Sequence, residues 1–181
     1  TLTAVATKAH PAFSAINQTT DTSAAAVPDT RSGVYFAVLG GKLYIQGRLG
    51  GVTFDGSDFA AVADTDEAAG LFATNYRDRR YCAGSGANDA SGRRNGSPIR
   101  VAFTEAGDVT DWGTYTVNFF DVEDDRGESI TGLREFNDAL LIFKMNSIFS
   151  YDEVQLKQRL WNVGAYNHKV IKRIGENLFT F

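Results

Sequence analysis

The chain has 181 residues, 43% of them hydrophobic, and a formal net charge of −4. That length can enclose one hydrophobic core, and the acidic balance excludes a surface generally coated with nucleic acid. A single cysteine, Cys82, excludes an intrachain disulfide, so packing and hydrogen bonds must hold the fold.

Residues 1–30 are rich in Ala and Thr and show neither a helical stripe nor strict alternation, which predicts an extended arm or linker. From residue 31 to 181 one pattern recurs. Residues 33–47, "GVYFAVLGGKLYIQG", are two apolar runs split by Gly40 and Gly41, a hairpin signal. "GLFATNYRDRRYCAG" repeats it with a turn at Arg77 and Asp78. "ITGLREFNDALLIFK" repeats it with a turn at Asn137 and Asp138, and "KVIKRIGENLFTF" with a turn at Gly175 and Glu176. An apolar residue precedes each turn: Leu39, Tyr76, Phe136 and Ile174.

Counted from Gly40, Arg77, Asn137 and Gly175, the turns fall 37, 60 and 38 residues apart. Periods near ~40–50 residues with about four strands each mark β-propeller blades. The long interval holds "GSGANDASGRRNGSP" at 84–98, a polar loop insertion between hairpin strands; removing it restores the period. Two further segments, "GGVTFDGSDFAAVAD" and "NSIFSYDEVQLKQRL", place acidic turns at Asp55 and at Asp152 and Glu153, and read as outer strands of blades. The expected architecture is therefore all-β: a propeller-like array of antiparallel blades, about three and a part in number, with an extended N-terminal arm. Thirteen Phe and seven Tyr suit strands, and Phe119, Phe120, Phe136, Phe143 and Phe149 are the expected core.

Residues 97–181 carry a resemblance. "GDVTDWG", a strand ending in "DV", an acidic Gly turn, "ITGL", "FNDALLIFK" and "SIF" follow one another, then "GAYNHKVI" and "IGENLFTF". In order and spacing this is similar to β-propeller structural proteins of bacteriophage tails, of the nozzle or tail-hub kind. The resemblance implies a virion structural component that forms or lines a ring around the DNA channel, or holds fibres, through subunit interfaces. It implies assembly in the host cytoplasm, other copies and neighbouring tail proteins as partners, contact with packaged DNA, and no membrane, cofactor or small-molecule substrate. Taken on physics alone, Asp108 and Asp111 can close an Asx turn, and Trp112 can bury a large area over a blade. Gly132 after Thr131 marks a close backbone approach where inner strands crowd the channel.

The arginines cluster: Arg77, Arg79, Arg80, Arg93, Arg94 and Arg100 form a local basic patch, the candidate interface with DNA phosphates or an acidic neighbour. Asp121, Glu123 and Asp125 alternate as a calcium loop begins, but Gly127 falls one place late and no Glu closes the loop, which predicts a solvated turn. The two histidines, His10 and His168, stand apart from Cys82, and no nucleophile, zinc or phosphate-loop motif occurs. The chain thus reads as no enzyme. The alternative is a glycan-binding propeller using exposed Trp112, Trp161 and Tyr166; a hydrolase ranks third. No apolar run approaches the ~20 residues of a membrane-spanning helix, and the start at Thr1 predicts a processed product or a fragment.

Overall fold

The fold is taken from a computed structural model of the chain. It describes residues 35–47, 50–61, 70–84, 97–108, 110–113 and 117–180. The expected arm at 1–30 and most of the 84–98 insertion lie outside the described residues.

Three four-stranded antiparallel sheets follow one another along the chain. Blade I is β1 (Tyr35–Leu39), β2 (Lys42–Gly47), β3 (Gly50–Phe54) and β4 (Phe59–Ala61). Blade II is β5 (Phe72–Tyr76), β6 (Arg79–Ala83), β7 (Arg100–Phe103) and β8 (Phe119–Asp121). Blade III is β9 (Ile130–Phe136), β10 (Ala139–Lys144), β11 (Ser147–Tyr151) and β12 (Leu156–Trp161). A 3₁₀ turn at His168–Val170 then leads into a two-stranded hairpin, β13 (Lys172–Ile174) and β14 (Asn177–Phe179), which opens blade IV. Strand order within each sheet is the chain order, so every blade is an up-and-down meander. β5 packs between β1 and β9, so the first strands of successive blades lie side by side. Meanders stacked on one another with their first strands innermost are the arrangement of a β-propeller.

The four hairpin turns fall where the glycines and Asx residues predict. Gly40 and Gly41 have φ of 59° and 75°, and Asn137 and Asp138 have 50° and 54°. Positive φ at both central residues is the type I′ pattern that matches strand twist. Arg77 (51°) and Gly175 (58°) are positive only at the first central residue, the type II′ pattern. The acidic turns of the outer hairpins are also alike. Asp55 Oδ1 accepts from the N–H of Ser57 and Asp58. Asp152 Oδ1 accepts from the N–H of Val154 and Gln155. These bonds hold both carboxyls below the usual carboxylate range.

Alternation along each strand decides which neighbour a side chain meets. From β10, Leu140 and Ile142 pack toward blade II with Tyr81, Val101, Leu133 and Phe149. Phe143 packs the other way, with Ile148, Ala165 and Ile171, under blade IV. Lys144 keeps the period and points back toward blade II. There it is fully buried, donates to the Val122 carbonyl at 2.6 Å and pairs with Asp124 at 2.9 Å. Burial alone would raise the Asp124 carboxyl; Lys144 and the N–H groups of Glu128 and Arg126 outweigh it and hold it low. Of the expected aromatic core, Phe143 and Phe149 are buried. Phe119, Phe120 and Phe136 are half-buried at its margins.

Gly132 does mark a close approach, but what approaches is the 3₁₀ turn. A Cβ there would strike the Ile171 side chain and the His168 backbone. His168 Nδ1 accepts the Leu133 N–H of β9 at 3.3 Å. Its ring lies edge-on to Tyr35 of β1 at 5.0 Å and stacks on Phe72 of β5 at 5.7 Å. One imidazole thus touches the first strand of three blades. Burial, with Arg134 and Lys172 nearby, pushes its pKa down to about 4, so the ring is neutral at pH 7.

Candidate functional site

The arginines of the expected patch do not form one surface. Two alternating registers send them apart. In β6, Arg79 shares a face with Tyr81 and turns toward blade III, whereas Arg80 shares a face with Cys82 and turns toward blade I. Arg80 is fully buried, its guanidinium carbon 3.1 Å from the Tyr44 ring centroid and 4.8 Å from that of Trp112. Its place in an outward-facing interface is therefore corrected: it is a cationic spacer between two aromatic rings of the blade I–II junction. Trp112, 2% exposed, is likewise unavailable to a surface glycan, which corrects its role in the glycan reading. The Asx turns at Asp108 and Asp111 do fix the loop that carries it. Trp161 and Tyr166 are exposed, at 54% and 73%.

Arg100 forms a two-bond fork with Asp121, its partner across β7 and β8, at 2.7 and 2.9 Å, and covers the Phe119 ring. Asp121 is thereby held below the usual carboxylate range. Asp124 closes the 121–129 segment as an Asx turn through Arg126 and Glu128. Among the described residues no group of three His, Cys, Asp or Glu side chains is placed to hold a metal ion. Arg93 and Arg94 lie outside the described residues.

Arg77 and Arg79 remain, and the structure brings them to one place. Both face Glu153, in the turn between β11 and β12 of blade III. Arg77 reaches Glu153 Oε2 at 2.7 Å and Asp138 at 3.4 Å. The Arg79 Nε lies 3.9 Å from Glu153 Oε1, and its Nη1 donates to the Thr104 carbonyl at 2.7 Å. The Tyr81 hydroxyl donates to Glu153 Oε1 at 3.4 Å, and that of Tyr151 to the Glu153 carbonyl at 3.3 Å. Burial raises the pKa of both phenols, and the Glu153 charge adds to it. Of these groups, Arg79, Tyr81, Tyr151 and Glu153 line an open cleft of about 420 Å³ between blades II and III, walled by Phe103 and rimmed by Asp78.

In the sequence Glu153 shows only as half of an acidic turn, with nothing to link it to the arginines. Its φ is 72°, in the left-handed region. The same place in the blade I turn, one residue after the capping Asp, is Gly56, with φ 105°. Glu153 therefore accepts a conformation that suits glycine, and its carboxylate joins two arginines and a tyrosine across the blade junction.

No known protein family matches the chain, and no curated protein matches it. Among solved structures it is similar to the crystal structure of the N-terminal domain of Nup159, at 8% identity and a TM-score of 0.43, over 82% of this chain. The chain spans 40% of that structure's length. The blade meanders and their stacking define the class by themselves: an all-β protein with a propeller-like array of antiparallel blades.

Proposed function

We propose that the chain is a structural element of a phage tail that works through blade-to-blade and subunit contacts. One observation carries the reading. On the face of blade I turned away from blade II, Phe36 and Val38 are 57% and 66% exposed, in register with Ile45 and Leu43 of β2. Apolar strand faces of this kind are covered where a propeller array continues. The motif order over 97–181 supports a tail protein among propellers. The neutralised arginines at 77, 79 and 100 and the burial of Arg80 favour protein contacts over DNA phosphates as its mode of action.

The experiment measures oligomeric state in solution by light scattering, for the wild type and for Phe36→Asp with Val38→Asp. A self-associating wild type and a monomeric variant with unchanged β-sheet circular dichroism support the reading. A wild type that stays monomeric, alone and when mixed with purified tails, overturns it.

A further inference from the structure

We propose that the cleft between blades II and III binds a neutral, polyhydroxylated ligand, one or two hexose units of a glycan. The inference rests on the cleft alone and not on the tail assignment. A volume of about 420 Å³ is in the range of small-ligand sites. Its chemistry is mixed. Phe103 gives an apolar wall, half-buried and backed by the Arg79 guanidinium carbon 5.4 Å from its centroid. Arg79 and Glu153, each about a quarter exposed, put donors and acceptors side by side. Arg79 spends one N–H on Thr104 and has others left. Asp78 adds an exposed carboxylate at the rim.

Charge decides the ligand class. Asp78 and Glu153 line the cleft beside one guanidinium, Arg79, so carboxylates outnumber guanidiniums, and a phosphate or sulfate would meet repulsion. A free cation would compete with Arg77, which already holds Glu153 at 2.7 Å. Vicinal hydroxyls, which donate to a carboxylate and accept from a guanidinium at once, fit both groups without a net charge. The floor, buried Tyr81 and half-buried Tyr151, offers phenol hydroxyls that are protonated at neutral pH, and burial raises both further. The left-handed Glu153, where blade I uses Gly56, places a strained backbone at this cleft, the kind of outlier that clusters at ligand sites.

Saturation-transfer NMR on the full chain tests this, with glucose, galactose, mannose and N-acetylglucosamine and a disaccharide of each. At least one sugar should receive saturation at its ring protons. Asp78→Asn and Phe103→Leu, which leave the Arg77–Glu153 pair intact, should each weaken that binding about tenfold, the loss of roughly one charged hydrogen bond or ring contact. Trp161→Ala should leave it unchanged, and inorganic phosphate should not displace the sugar. The proposal is overturned by any of three results. They are no saturation of any sugar by folded wild type, loss of binding in Trp161→Ala with the cleft variants intact, or displacement by phosphate.

Discussion

Replacing Lys144 by Met keeps the length of the side chain and removes its charge from a fully buried site. In the folded protein that ammonium has two partners, the Val122 carbonyl at 2.6 Å and Asp124 at 2.9 Å, whose side chain is 3% exposed. Removing one member of a buried pair costs about 3–5 kcal/mol, because the other charge stays behind in an apolar setting. Asp124 keeps the N–H groups of Arg126 and Glu128, each at 3.1 Å, so the low end applies. At about 2–4 °C per kcal/mol for a chain of this size, ~3 kcal/mol lowers the melting temperature by about 6–12 °C. The pH dependence carries the sharper sign. In the wild type the Asp124 carboxyl sits below its ordinary value, so its contribution is present above about pH 4 and is lost as pH falls through the lowered value. In the variant, burial without the cation raises the carboxyl above its ordinary value. The variant should then gain on the wild type as pH drops from 7 to 4. Thermal unfolding followed by circular dichroism at both pH values measures this. A cost under about 1 kcal/mol, as for a surface pair, or a gap that does not change with pH, would refute the buried-pair argument.

Two further outcomes are expected. The His168 imidazole is neutral and buried, with a folded pKa of about 4 against an ordinary ~6.5, so the unfolded chain binds the proton first. Stability should fall as pH drops from ~6.5 to about 4 and level below that. Denaturant unfolding of His168→Asn, whose amide oxygen can still accept the Leu133 N–H, should lose that slope; an unchanged slope assigns it elsewhere. Gly164 lies against the backbone of Lys144 and Met145, and an added Cβ would overlap both. Gly164→Ala should cost about 1–3 kcal/mol in urea unfolding, and a neutral result would mean that the 163–165 segment can step away from β10.

How much of this was legible in the sequence depends on how far apart the partners are. Hairpin turns are local, and Gly40, Asn137 and Gly175 announce them because left-handed backbone needs those residue types. The matching intervals of 37 and 38 residues, with the long one explained by the polar insertion, then imply similar blades. The acidic turns at Asp55 and Asp152 were visible for the same reason, since an Asx cap bonds to its own backbone two and three residues on. Partnerships between blades were not visible. Arg77 and Glu153 lie 76 residues apart, and no local pattern links them. Arg79 and Arg80 look alike in a string of letters, yet alternate strand positions send one to a cleft and the other between two rings. A signal did exist for Lys144: one charge inside the apolar run "ALLIFK", on the same strand face as Leu140 and Ile142. In the sequence Trp112 suits a blade cap and a surface ring equally, and its burial chooses the first.

The imidazole at residue 168 has a consequence for the order of events during synthesis. It contacts strands that begin at residues 35, 72 and 130. The earliest of those strands emerges from the ribosome long before the ring that wedges against it. Blade I can therefore form its own hairpins early, but its final seating must wait for a segment made more than a hundred residues later. During that interval its aromatic surfaces are open to chaperones or to the wrong neighbour.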